Sequence, residues 1–124
     1  MKRLFIILTA VTMTGLALLM PGCKYDHPVP EPLPENVSFS EDVVPYFNKS
    51  CNYAGCHNTG GVAPDLTPEF AYDDLFAKNQ INLDNPEESI LYVKIAPGGS
   101  MEPYSKPAET AMVLAWIKDG APNN

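Results

Sequence analysis

Two cysteines and a histidine lie within seven residues near the middle of the chain, in the stretch CNYAGCH at positions 51–57. Four residues separate Cys51 from Cys56, and His57 follows the second cysteine directly. This stretch is the feature of the chain that most needs an explanation. Its residue types admit three interpretations: a disulfide, a metal site or a covalently attached cofactor.

The N-terminal segment has the pattern of a secretory signal. Lys2 and Arg3 precede a mostly apolar run over residues 4–19, which is shorter than the roughly 20 residues that cross a membrane. We therefore predict that residues 1–22 are a signal peptide that is removed on export. The stretch LMPGC resembles a bacterial lipoprotein cleavage box, which predicts lipidation of Cys23, although an ordinary signal with an incidental cysteine is the alternative. The expected location is the periplasmic side of the inner membrane, or the outer membrane.

A proline-rich spacer follows the predicted lipid. Prolines alternate with other residues from position 28 to position 34, which excludes a helix and favours an extended chain. We predict a lipid-anchored linker over 23–36, with His27 solvated rather than acting as a ligand, and one domain over 37–124. Removal of residues 1–22 takes away two of the eight basic residues and none of the 15 acidic ones, leaving a net charge of −9. This charge argues against nucleic acid as a partner and favours a basic or neutral partner surface.

The domain has helical periodicity and no convincing strand, so we predict an all-α fold. The predicted helical segments are 38–50, 67–79, 85–95 and 106–120. The residues expected to face inward are Phe39, Val43, Val44, Phe47, Phe70, Leu75, Phe76, Ile90, Leu91, Ile95, Ala111, Leu114, Ala115, Trp116 and Ile117.

Capping residues give the expected starts of the first two helices. Ser38 or Ser40 is expected to cap the first helix. Because Pro45 is tolerated only in a first turn, that helix either begins near Asp42 or kinks. Thr67, followed directly by proline, is expected to cap the second helix.

The three interpretations of CNYAGCH differ in how many of its residues they explain. A disulfide between Cys51 and Cys56 closes a short loop, which stabilises little, and leaves His57 unexplained. A structural zinc ion needs four ligands, and the fourth would have to be the remote His27 or a carboxylate. Haem uses all three residues, because two thiols add across its vinyl groups and the histidine binds the iron. A helical domain of under about 100 residues also gains stability from such a staple or cofactor.

Together with their flanking segments, these residues resemble a small class I c-type cytochrome of the monohaem kind that bacteria export. FSEDVVPYFNKSC resembles the helix that enters the haem motif, and APDL at 63–66 resembles the Gly-Pro-x-Leu of the family. SILYVKIAPGGSMEP is similar to the segment that delivers a methionine ligand, and LAWIKDGAPNN to the closing helix. The chain has a four-residue spacer where C-x-x-C-H is usual, Ala63 where glycine is common, and Glu102 where proline is frequent. The resemblance covers residues 38–124 and implies about four helices packed around one covalently bound haem c.

The resemblance also implies roles for individual residues. Cys51 and Cys56 would hold the haem, and His57 and Met101 would be the axial ligands of the iron. The carbonyl of Pro64 would accept the proton from Nδ1 of His57 and so fix the imidazole. Met101 lies in a Gly-rich loop where an apolar side chain has no other evident use, whereas Met112, in the last helix, is expected to fill the core.

The expected function is electron transfer rather than enzymatic catalysis. Partners would be redox proteins or a respiratory complex, with the membrane contacted through the lipid anchor. Two alternatives remain. The protein would be a haem sensor or a peroxidase-like enzyme if Met101 can be displaced from the iron. It would be a haem-free interaction domain, held by zinc or a disulfide, if no haem is attached.

Overall fold

The computed structural model describes residues 32–124, and this part of the chain is helical without any strand. The all-α prediction is therefore confirmed for these residues. The predicted signal peptide, Cys23, His27 and the linker as far as residue 31 lie outside the described residues. Each predicted helical segment contains one α-helix: α1 Val44–Ser50, α2 Ala71–Ala77, α3 Ile90–Ile95 and α4 Pro107–Lys118. Between residues 32 and 124, no helix has the length and apolar character needed to cross a membrane.

A π-helical turn over Phe39–Val43 leads into α1. The Ser38 hydroxyl accepts a hydrogen bond from the Glu41 N–H at 3.2 Å, so the prediction of Ser38 as the cap is confirmed. The regular helix begins at Val44, slightly later than the start predicted near Asp42, and this places Pro45 in its first turn. The proline lacks an N–H to donate, and a first turn requires none.

The predicted start of α2 was wrong. The helix begins at Ala71, because the hydroxyl of Thr67 donates to Oδ1 of Asp65 at 2.6 Å instead of capping the helix. The N–H groups of Phe70 and Ala71 bond the carbonyl of Thr67 at 3.1 and 2.8 Å, which makes a turn ahead of the helix. Phe70, which was predicted to face inward, lies in this turn and is 42% exposed.

The core is centred on α4, whose Trp116 is fully buried. The Trp116 ring lies 5.1 Å from that of Phe39, and its N–H donates to the carbonyl of Pro122 at 2.9 Å. In α3, Leu91 is buried as predicted, but Ile90 is 44% exposed and its inward prediction was wrong. The buried apolar residues of this core are Val37, Phe39, Val43, Val44, Tyr46, Phe47, Leu66, Ala71, Leu75, Leu91, Ile95, Val113, Ala115, Trp116, Ile117 and Ala121.

The last residue bonds the start of the first helical element. The backbone carbonyl of Asn124 accepts from the Ser40 N–H at 2.9 Å and from the Ser38 hydroxyl at 3.0 Å. Its side-chain oxygen accepts from the Phe39 N–H at 2.8 Å. These three bonds, which we call the end clasp, satisfy donors that the first helical turn leaves free.

Candidate functional site

The CNYAGCH motif follows the end of α1 and forms a compact turn. Cys51 is the C-terminal cap of the helix. Its carbonyl accepts a hydrogen bond from the His57 N–H at 3.1 Å, and the Cys56 N–H donates to the carbonyl of Tyr53 at 2.8 Å. The backbone therefore folds back on itself between the two cysteines.

Two glycines make this turn possible for different reasons. Gly55 has a φ of +82°, a backbone conformation that residues with a side chain rarely adopt. Gly61 lies so close to the motif that a Cβ there would be 2.2 Å from the carbonyl oxygen of Cys56. That same carbonyl accepts a bond from the Val62 N–H at 2.8 Å, which closes the loop.

The imidazole of His57 is held in one tautomer. Its Nδ1 lies 3.0 Å from the carbonyl oxygen of Val62 and 3.1 Å from that of Pro64. Carbonyl oxygens only accept, so Nδ1 carries the proton and the lone pair on Nε2 is left for a ligand. The contact with Pro64 that the resemblance implied is thus present in the structure. The Leu66 N–H also donates to the His57 carbonyl at 2.8 Å, which fixes the backbone of the residue.

The two cysteines are free thiols in different surroundings. Cys56 is exposed, whereas Cys51 is half-buried and packs against the core. Burial raises the pKa of the Cys51 thiol to about 11, although the hydroxyl of Tyr46 beside it acts in the opposite direction. At neutral pH the Cys51 side chain is therefore a protonated thiol.

Tyr46 brings a polar group into the core next to Cys51. The residue is 4% exposed, and its hydroxyl makes no well-formed hydrogen bond with any residue from 32 to 124. Cys51 and Ser105 nevertheless lie close enough to influence its pKa, which burial raises. Tyr46 was not among the predicted site residues, although a tyrosine on the inward face of the helix that precedes the motif could have indicated it.

The loop that carries Met101 is fixed by its own backbone. The Met101 N–H donates to the carbonyl of Lys94 at 2.8 Å, and the side chain packs half-buried against the core. The Glu102 carboxylate accepts from the Gly98 N–H at 2.9 Å. A Cβ on Gly99 would lie 2.3 Å from the Lys94 carbonyl oxygen, so only glycine fits there.

The structure thus brings Cys51, Cys56, His57 and Pro64 together in one loop system. Met101 belongs to a second loop. The chain continues from it to Ser105, which lies beside the hydroxyl of Tyr46, and Cys51 lies beside the same hydroxyl. Met112, the other methionine considered, packs against the core from α4. A surface cavity of about 430 Å³ lies at residues 33–37 and the end of α4, and none of the predicted site residues lines it.

Two observations concern the zinc and disulfide interpretations of the motif. Among residues 32–124, no group of three or more His, Cys, Asp or Glu side chains is placed to hold a metal ion. Cys51 and Cys56 are not joined in a disulfide. Comparison with known proteins finds no family model, no curated protein and no solved structure that matches the chain.

Proposed function

We propose that the protein is a monohaem c-type cytochrome that transfers electrons, with a class I cytochrome c-like fold and a lipid anchor at Cys23. The observation that carries this proposal is the state of His57. Its Nδ1 lies within hydrogen-bond distance of two backbone carbonyls, so Nδ1 carries the proton and the lone pair of Nε2 can bind a metal. This histidine follows two unpaired cysteines in the sequence.

The side chains at the site fit one covalently bound haem c. Cys51 and Cys56 would hold it through thioether bonds, and His57 would bind the iron with an imidazole oriented by Pro64 and Val62. Hydrogen bonds from a ligating histidine to carbonyls strengthen it as a ligand. Met101 would supply the second axial ligand from a loop that its own backbone bonds hold in place. The haem would supply one-electron exchange at its iron, and if His57 and Met101 both bind that iron, no position would be left for a substrate.

The surface of the domain favours a transient partner. The net charge of −9 expected after signal removal favours a redox protein, or a subunit of a respiratory complex, with a basic or neutral contact surface. Tyr53, in the spacer between the two cysteines, and Val62, five residues after His57, are exposed large side chains. A small contact surface is typical of weak, transient complexes between redox proteins.

The test is the mass of the acid-denatured mature protein after expression in a host that attaches haem c. We expect a mass increase of one haem that survives denaturation, because thioether bonds are covalent. The matched control is the double variant Cys51→Ala/Cys56→Ala, which should show no haem mass. A wild-type mass that is unshifted, or lighter by two hydrogens, would contradict the proposal and favour the haem-free interaction domain. Carbon monoxide binding by the reduced holoprotein would instead favour the sensor or peroxidase-like alternative.

A further inference from the structure

The hydroxyl of Tyr46 is a buried polar group that the proposed function does not yet use. It is enclosed in the core, and no residue of the described chain satisfies it with a hydrogen bond. Buried hydroxyls without a partner are rare, because each forfeits the bonds it would make to water. A buried hydroxyl that lies beside Cys51 without a well-formed bond therefore points to a bond that is completed when the cysteine holds its ligand.

The neighbours of this hydroxyl narrow the choice of partner. Ser105 and Cys51 are the side chains beside it. The oxygen of Ser105 lies 2.9 Å from that of Thr110, which in turn bonds the Ile95 carbonyl at 3.2 Å. Because Thr110 donates to Ile95, Ser105 donates its proton to Thr110 and has none left for Tyr46, although its oxygen can still accept a bond. The sulfur of Cys51 is the neighbour whose chemistry changes when a cofactor is attached.

Attachment removes the proton of that sulfur. When a thiol adds across a vinyl group, the S–H bond breaks, a carbon–sulfur bond forms, and the proton goes to the other vinyl carbon. No electrons are gained or lost, and the resulting thioether sulfur has lone pairs but no hydrogen. It can therefore accept a hydrogen bond but can no longer donate one.

We propose that the Tyr46 hydroxyl donates a hydrogen bond to the Cys51 sulfur once that sulfur is part of a thioether, and so acts as a positioning residue for the haem. This inference rests on the proposed function. A donor to the sulfur draws electron density from the attached ring and stabilises the reduced, more electron-rich state. Outer-shell hydrogen bonds of this kind tune the potentials of metal centres.

The experiment compares reduction potentials of the full-length, haem-loaded protein and three variants. Tyr46→Phe keeps the ring and removes only the hydroxyl, so we expect haem attachment to persist and the potential to fall. Tyr104→Phe removes an exposed hydroxyl, and Ser105→Ala removes the competing neighbour; neither should shift the potential as Tyr46→Phe does. An unchanged potential in Tyr46→Phe overturns the inference and leaves the cytochrome intact. An equal shift in Ser105→Ala also overturns it, by assigning the hydroxyl to Ser105.

A second measurement needs no variant. In the reduced wild-type protein, NMR should show a slowly exchanging tyrosine hydroxyl proton close to the β-protons of Cys51. Its absence overturns the inference even if Tyr46→Phe does not accumulate. A wild-type protein that carries no covalent haem would instead overturn the proposed function, and the inference with it.

Discussion

Cys51 and Cys56 belong to one motif, but only Cys51 is enclosed by protein. Burial raises its pKa to about 11, and the thiolate is the form that reacts. In haem-free protein at about pH 8, we therefore expect iodoacetamide to label Cys51 roughly ten- to a hundredfold more slowly than in the unfolded chain. Peptide mass spectrometry measures the rate, and the exposed Cys56 of the same molecules serves as the internal control. Equal rates for Cys51 in folded and unfolded protein would contradict its enclosure.

Asp65 gives a second prediction at the scale of one residue. The hydroxyl and N–H of Thr67 donate to its carboxylate at 2.6 and 3.0 Å and lower its pKa. A depressed carboxyl pKa stabilises the fold at neutral pH, and the contribution is lost as the pH falls through the folded-state pKa. Asp65→Asn should lower the free energy of unfolding by less than about 1 kcal/mol at neutral pH, with the difference vanishing in acid.

Urea denaturation at a series of decreasing pH values measures this effect. Asp84→Asn is the matched control, because Asp84 is an exposed aspartate outside this turn. A loss for Asp65→Asn that stays constant into acid would show that its cause is packing rather than charge.

At the scale of elements, two loops share one construction. Each has a glycine pair in which the first member has a positive φ, +80° at Gly60 and +84° at Gly98. The second member, Gly61 or Gly99, passes so close to backbone carbonyls that a Cβ has no room. One loop closes over the cysteine motif and the other presents Met101, so both proposed haem ligands depend on this construction.

Alanine at the first and at the second glycine of a pair should therefore lower the free energy of unfolding by different amounts. Gly60→Ala costs only the strain of a positive φ, about 1–2 kcal/mol. Gly61→Ala instead places a Cβ against the Cys56 carbonyl. We therefore expect it to lower the free energy of unfolding by about 3 kcal/mol or more, and to lower the yield of covalent haem. Urea denaturation and the haem content of purified protein measure the two effects. Equal losses from the two variants would show that the carbonyl can move aside.

Local signals predicted the helices well where neighbouring residues decide the structure. The cap at Ser38 and the restriction that Pro45 places on α1 depend only on the adjacent chain. The prediction of Thr67 as a cap failed because its hydroxyl donates to the carboxylate of Asp65, two residues earlier, and accepts no N–H of the helix. The misplaced Phe70 follows from that same error.

The residue types of the candidate site were predictable from the motif, and the contact of His57 with Pro64 was predictable from the family resemblance. The other supporting contacts were not. The need for glycine at position 61 comes from how the chain returns after the motif, which periodicity does not encode. The unpaired hydroxyl of Tyr46 likewise depends on where the loop ending at Ser105 packs.

At the scale of the whole molecule, charge should govern encounters with redox partners. The net charge of −9 expected after removal of the predicted signal peptide should attract cations over a distance that salt shortens. Added salt should therefore slow oxidation of the reduced protein by a cationic cobalt complex and speed oxidation by an anionic iron cyanide complex. Stopped-flow absorbance measures both rates. If added salt changed both oxidation rates in the same direction and to the same extent, the surface through which the electron leaves the protein would be neutral.

The end clasp should contribute to the stability of the whole domain. Asn124→Ala removes the acceptor of the Phe39 N–H, and we expect a loss of about 1 kcal/mol in the free energy of unfolding. Asn123→Ala changes the exposed neighbouring residue and is the matched control. Chemical denaturation that gives the same midpoint for both variants would show that water replaces the bond at no cost.

The end clasp also makes the domain a candidate for circular permutation, since it places Asn124 within hydrogen-bonding distance of residues 38–40. A linker of a few residues could join these ends, and new termini could be opened in the exposed stretch at 83–85. In such a permutant Met101 would be synthesised before Cys51 and His57. A permuted protein that acquires haem would show that folding does not depend on the order in which the proposed haem-binding residues are synthesised.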